Sequence, residues 1–237
     1  MNRDKLIAYS FYYGGEYDRI EKAIADDEPY KDVKIENVLT ILDDDYPKKL
    51  RDLERAPYVL YYKGDLSLLE KEAIAIVGSR NPCEYALKAT AALVKGNNDK
   101  VIISGLAKGI DACAHENASE TIGILGCGID YIYPFCNYDL IRRVEKQGLI
   151  LSEYPGMSKP YAYHFPFRNR IIAALSERVY VMQSAKKSGT MTTVNEALHL
   201  GKAVSVLPYD LFAEEGRQNN LLIYEGADPI TIEEIAI

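Results

Sequence analysis

The chain has 237 residues, 48% hydrophobic and 27% charged, with a formal net charge of −7, which is long enough to bury a full core and too acidic to coat itself in basic surface. No apolar stretch approaches the length of a membrane span, and Met1-Asn2-Arg3-Asp4-Lys5 leads into a run too short and too tyrosine-rich for a secretory signal, so a cytoplasmic location is expected. Cys83, Cys113, Cys127 and Cys136 form no Cys-x-x-Cys pair and no histidine stands at ligand spacing, which reads as reduced structural thiols and no metal site.

In chain order, Leu6, Ile7, Phe11 and Tyr12 predict a short amphipathic helix and Tyr17–Ala25 a second. Asp26-Asp27-Glu28-Pro29 and Asp43-Asp44-Asp45-Tyr46-Pro47 then break the pattern. Residues 1–40 are expected to form a small helical appendage packed on a main domain of residues 41–237. From about residue 57 the chain alternates two kinds of segment. Strands are predicted at Val59–Tyr62, Ala73–Val77, Lys100–Ser104, Thr121–Leu125, Leu149–Ser152, Val179–Gln183 and Ala203–Leu207. Helices are predicted at Glu84–Lys95, Ile110–Ser119, Asp139–Lys146, Arg168–Leu175 and Thr192–Leu200. Most of the strands are continuous apolar runs, as parallel strands covered on both faces require. The expected fold is α/β: a doubly wound, mostly parallel sheet built of right-handed βαβ units, whose ligands bind beyond the carboxyl ends of the strands.

Four glycine turns fall at those ends. Gly78-Ser79-Arg80-Asn81-Pro82 offers a tight turn, capping groups and an arginine suited to a phosphate. Ser104-Gly105-Leu106-Ala107-Lys108-Gly109-Ile110-Asp111 frames a lysine between glycines, with Asp111 expected to cap the next helix. His115 shares a helix face with Asp111, and the pair reads as structural because no nucleophile stands nearby. Gly126-Cys127-Gly128 is the third turn. Ser188-Gly189-Thr190-Met191-Thr192-Thr193, after Lys186-Lys187, is the fourth, and small hydroxyl residues at a helix start favour phosphate. Between the third and fourth, Phe165-Pro166-Phe167-Arg168-Asn169-Arg170 sets two arginines and a ring where guanidinium can meet phosphate and aromatic can meet base, with Lys159 upstream. Most of the 19 tyrosines read as packing groups, not stacking platforms.

These motifs, with Tyr46-Pro47, Leu50, Pro57, Leu60-Tyr61, Gly64, Tyr133-Pro134, Asn137, Ser152-Glu153-Tyr154-Pro155 and Gly226-Ala227, occur in an order that resembles the DprA/Smf DNA-processing family over roughly residues 40–230. The resemblance implies an extended Rossmann-like domain that binds single-stranded DNA, forms a homodimer and hands strands to the RecA recombinase in natural transformation and DNA recombination, with no catalysis and no cofactor. By position it implies a DNA pocket at Gly78, Ser79, Arg80, Lys108, Gly109, Phe165, Arg168, Asn169 and Arg170, with Lys159 near the family's pocket lysine. Ser104, Gly105, Ser188, Gly189 and Thr190 complete the candidate phosphate site. Lys108 stands where relatives carry arginine, which keeps the charge and loses the bidentate grip. Leu207-Pro208-Tyr209 replaces the usual Pro-Gly ending, and the sequence stops soon after Gly226-Ala227, so a core without the family's winged helix is expected. A second reading is a small-nucleotide binder or nucleotide N-glycosidase of the lysine-decarboxylase-like type, from Gly189-Thr190 followed by Glu196. A third, an interaction module that has lost its ligand, requires Arg80 and Arg170 to be neutralised by carboxylates.

Overall fold

A computed structural model describes residues 2–186 and 188–236; Met1, Ile237 and Lys187, the second lysine before the fourth turn, lie outside the described residues. Helices α1 (Arg3–Tyr12) and α2 (Tyr17–Ala25) open the chain. They are followed by β1 (Val38–Thr40), α3 (Lys48–Arg51), β2 (Val59–Gly64), β3 (Ala73–Gly78), α4 (Glu84–Gly96), β4 (Val101–Ser104), α5 (Ile110–Asn117), β5 (Thr121–Ile124) and α6 (Tyr138–Gln147). The rest is β6 (Leu149–Ser152), α7 (His164–Leu175), β7 (Arg178–Gln183), α8 (Gly189–His199), β8 (Ala203–Val206), α9 (Arg217–Tyr224) and β9 (Asp228–Pro229).

The strands form one sheet in the order β1-β2-β6-β5-β4-β3-β7-β8-β9. Every pairing from β6 across to β9 is parallel, and β2 runs antiparallel to both β1 and β6. Side chains alternate between two cores, as the period of a strand dictates. Ala73, Ala75 and Val77 of β3 face the layer of α7 and α8, where Ile171, Ile172, Val194 and Ala197 pack. Ile74 and Ile76 face the opposite layer, with Leu93 of α4 and Ile110 and Ala114 of α5. Ile150 of β6 meets Leu140, Ile141 and Val144 of α6. The doubly wound, mostly parallel sheet expected from the continuous apolar runs is the sheet observed.

Four of these elements had no counterpart in the sequence reading: β1, α3, α9 and β9. Two- and three-residue strands are too short to show a period, and α9 carries a polar first turn, Arg217-Gln218-Asn219-Asn220. β1 lies inside the span read as an appendage and pairs with β2 through Leu39 and Leu60. Helix α1 packs Leu6 and Ile7 on Val38, Val59 and Tyr61 of that edge. Helix α7 starts at His164, four residues before the predicted start. Pro166 is accommodated in its first turn, where an amide has no intrahelical acceptor to lose.

The sheet reverses winding between β3 and β7, and the loops leaving those two strands diverge there. Asn219 of α9, fully buried, pins one wall of the crevice: its Nδ2 donates to the carbonyls of Met182 and Leu207, and its Oδ1 accepts from the amide and hydroxyl of Ser184. Replacing it strands buried polar groups, at about 1–3 kcal/mol for each left unpaired. Asn219→Ala is expected to lower unfolding free energy in urea by about 2–3 kcal/mol, with Asn219→Asp worse because its carboxylate would face carbonyls. An unchanged urea midpoint would remove Asn219 from this role.

Candidate functional site

At the switch point the β3 and β7 loops, the start of α7 and the start of α8 enclose an open cleft of about 1350 Å³, larger than the roughly 300–1000 Å³ of small-molecule sites. The β3 loop contributes Gly78, Ser79 and Arg80. Ser79 shapes it: its hydroxyl accepts from the Asn81 amide at 3.1 Å and its carbonyl accepts from the Ile110 amide. Arg80 is exposed, and its guanidinium lies 5.5 Å from the centre of the Phe165 ring, which meets Tyr133 at 5.4 Å. The opposite wall is the start of α8. Ser188 occupies its N-cap without a side-chain capping bond, and the Ser188 hydroxyl has no partner among the described residues. Ser188, Gly189 and Thr190 therefore present the positive end of a helix dipole to the cleft.

The Ser104–Gly109 turn is built differently. Gly105 and Ala107 amides both donate to Asp111 Oδ2, and the Leu106 amide donates to His115 Nε2. Asn137 Nδ2 donates to the carbonyls of Leu106 and Ala107. These bonds hold Leu106, a non-glycine residue, at φ 55°, a left-handed conformation that costs of order 1–3 kcal/mol and persists only where the surroundings enforce it. Three successive amides are thus committed to the protein, so this turn is not a phosphate cradle of the α8 kind. Asp111 serves the turn before its helix instead of capping the helix itself. Burial pushes the Asp111 carboxyl up, against the pull of Arg168 and its backbone bonds. Burial also takes His115 down to about 3, a neutral ring fixed by Thr121 Oγ1 at 2.6 Å. Asp111 and His115 grip one turn side by side, as parts of the fold.

The arginines of α7 diverge, and both turn inward. Arg168 is buried and donates to the carbonyls of Gly105 and Ile124, with Nε on Asn169 Oδ1. Desolvation takes its guanidinium down to about 10, still cationic at neutral pH. Asn169 ties the start of α8 by donating to the Gly189 carbonyl at 3.0 Å. Arg170 forms a buried two-pronged pair with Glu153, at 2.7 and 2.5 Å, and donates to the Arg55 carbonyl. Ser104 is buried too, its hydroxyl on the Ile76 carbonyl.

Of the residues singled out in the sequence, the cleft gathers Gly78, Ser79, Arg80, Asp111, Phe165, Arg168, Asn169, Ser188, Gly189 and Thr190. Ser104, Gly105, Lys108, Gly109, Lys159 and Arg170 do not line it; Ser104 and Arg170 are internal, while Lys108 and Lys159 are exposed beside it. Glu196, the acid of the N-glycosidase reading, is also outside the lining. Tyr209 sits behind the cleft wall, its hydroxyl on the Met182 carbonyl at 2.9 Å and its ring edge-on to Tyr85. Sequence reasoning missed Gln183, Ser184, Arg217, Asn220 and Tyr224, and gave Tyr133 and Lys186 no part in the site. Gln183 ends a predicted strand, and the carboxyl-end rule would have flagged it; the residues of α9 gave no signal. The cleft also carries Glu214 and Glu215. Among the described residues, Arg80, Lys108, Lys159, Lys186 and Arg217 form no ion pair, whereas Arg170 is neutralised.

The two kinds of arginine separate in stability. Arg170→Ala leaves Glu153 buried and unpaired, and is expected to cost about 3–5 kcal/mol. Arg80→Ala is expected to stay within about 0.5 kcal/mol of the parent. Urea unfolding of both variants measures the contrast, and equal effects would contradict it.

The model of the DNA recombination-mediator protein A family matches residues 37–237, which leaves α1 and α2 outside the match. The DNA processing protein DprA of Streptococcus pneumoniae is 39% identical over 197 residues, spanning 81% of this chain and 70% of that protein. The Bacillus subtilis DprA is 40% identical over 201 residues, 82% of this chain and 68% of that one. The X-ray structure of S. pneumoniae DprA superposes with a TM-score of 0.79 at 33% identity, over 97% of this chain and 90% of that chain. DNA processing protein A from Helicobacter pylori, whose structure concerns its single-stranded DNA binding mode, superposes with a TM-score of 0.76 at 36% identity, over 83% and 92% of the two chains. With its Rossmann-like sheet and its ordered motifs, the chain belongs to the DNA recombination-mediator protein A (DprA/Smf) family.

Proposed function

We propose that the cleft binds single-stranded DNA without sequence preference, and that the protein works by holding a strand and not by reacting with it. The observation that carries this reading is Arg80, free of any carboxylate among the described residues and set over the Phe165 ring, opposite the uncapped start of α8. A guanidinium and helix amides address phosphates, and a ring addresses the face of any base. The cleft's volume suits a polymer better than a mononucleotide. The single-stranded DNA binding of the H. pylori relative supports the same assignment. Lys186 and Arg217 in the lining, with Lys108 and Lys159 beside it, supply local positive charge on a chain of net charge −7.

The proposal extends to a homodimer that passes its strand to a RecA recombinase. Leu211 and Phe212, exposed in the loop that precedes Glu214, offer apolar surface to a second copy. Sedimentation velocity tests the dimer. Assembly of RecA on strands coated with single-strand-binding protein, with and without this protein, tests the hand-over.

The direct test is fluorescence anisotropy with labelled oligothymidylate at about 50 and about 200 mM salt, the range over which phosphate contacts weaken steeply. The parent protein is expected to bind and to weaken with salt. Arg80→Ala is expected to bind roughly tenfold or more weakly, as loss of a charge-assisted contact requires, with a log–log salt slope shallower by about 0.7. Unaltered affinity in the variant, or no binding by the parent at low salt, would sink the reading and turn attention to release of base from nucleoside monophosphates.

A further inference from the structure

Beside the cleft, the chain exposes aromatic surface in a way that packing does not explain. Two loops leave the carboxyl ends of β5 and β6 and run together: the amides of Gly128, Ile129 and Asp130 donate to the carbonyls of Ser158, Tyr154 and Gly156. From this joined ledge project Tyr133, Phe135, Tyr138, Met157, Tyr161 and Tyr163, all exposed. Tyr161 and Tyr163 are more than half exposed, at 51% and 57%. Their rings are nonetheless ordered against each other, 11° from parallel with centres 5.7 Å apart, an offset stack.

The stack stands on a built base. Both rings meet His164 edge-on, at 5.3 and 4.5 Å. His164 is buried and lies flat on Tyr154 at 3.8 Å. Glu16, at the start of α2, accepts from the Tyr163 hydroxyl and bonds His164 Nε2, each at 2.8 Å. Exposed tyrosines held this firmly carry little conformational entropy left to lose on meeting a flat partner. Pro160 and Ala162, which alternate with the two tyrosines, line the cleft, and Phe165 follows directly in α7. The two tyrosines do not themselves line the cleft but sit in the segment that leads into its wall, with exposed Lys159 at the start of that segment.

We infer that Tyr161 and Tyr163 form a second base-stacking platform, on which bases of the strand held in the cleft continue past Phe165. The inference rests on the single-strand reading of the cleft and names a further part of its ligand: unpaired nucleobases, taken by their faces. Any base presents such a face, so the platform adds affinity without adding sequence preference.

Two strands of equal length separate this role from the others: oligothymidylate and its fully abasic counterpart, which keeps every phosphate and lacks every base. Affinities are read by anisotropy at low salt for the parent, Arg80→Ala, Tyr161→Ala/Tyr163→Ala and Tyr161→Phe/Tyr163→Phe. The alanine pair is expected to weaken oligothymidylate roughly tenfold and to leave the abasic strand unchanged. The phenylalanine pair, which keeps both faces, is expected to match the parent on both strands. Arg80→Ala is expected to weaken both. The platform is overturned if the alanine pair weakens neither strand, if it weakens both alike, or if phenylalanine fails to restore binding. If Arg80→Ala changes neither strand while the alanine pair weakens oligothymidylate alone, the platform stands and the cleft's phosphate site falls. A parent that binds neither strand overturns both.

Discussion

Arg168 carries a positive charge into the interior at the ends of β4 and β5, and much of the surrounding architecture serves to receive it. A buried guanidinium without partners would be prohibitively costly. Two strand-end carbonyls, Gly105 and Ile124, and the amide oxygen of Asn169 meet it. The Asp111 charge acts on the same guanidinium, while Asp111 itself closes the Gly105–Ala107 turn. A Cβ at Gly105 would meet the Arg168 guanidinium, so a larger residue there would displace that side chain. One buried cation thus bridges the ends of two neighbouring strands and, through Asn169, is linked to the start of α8.

That arrangement divides the polar groups at the sheet's carboxyl edge into two sets. At the Ser104–Gly109 turn, Asp111 and His115 take up the amides of Gly105, Leu106 and Ala107, and Asn137 takes up two of its carbonyls, which leaves the exposed Lys108 as the turn's outward group. At α8 the opposite holds: the helix starts uncapped, with its first residues in the cleft wall. Arg80 falls in the outward set and Arg170 in the inward one, since Glu153 occupies Arg170 in a pair that is almost fully buried. The same residue type stays free at the surface in one place and braces the interior in the other, and burial with partners is what tells them apart.

An acidic protein can present such a cleft because charge acts locally. At physiological ionic strength the field of a surface carboxylate is largely screened beyond roughly 8–10 Å, so the net charge of −7 matters less than the groups lining the groove. Those groups are of both signs, with Glu214 and Glu215 on the side of Arg217 and with Arg80 and Lys186 nearby. The N-terminal helices join this region from the outside. Glu16 contacts Tyr163 and His164 in front of Phe165, and Tyr17 stacks on Tyr58 while meeting Phe167 edge-on. The segment that lies outside the family match therefore buttresses the start of α7, where the cleft's ring is mounted.

The local sequence determined the alternation of elements, the parallel character of the sheet and the carboxyl-edge position of the glycine turns. Continuous runs such as Ala73–Gly78 and Arg178–Gln183 have one stable use, burial on both faces, and the turn after each must then lie at the ligand-binding edge. The ordered motifs likewise pointed to the family. What stayed illegible was decided at long range. Strands as short as β1 and β9 exist only because a longer neighbour offers a free edge. Whether an arginine faces solvent or the interior depends on segments that the fold brings beside it, as when Arg170 meets Glu153, 17 positions away, and the Arg55 carbonyl, 115 positions away. Tyrosines at 161 and 163 looked like packing groups, and only their support by Glu16 and His164 orders them at the surface. Periodicity records how a chain buries its apolar groups, whereas the partner of a polar group is fixed by which distant segments the fold brings beside it.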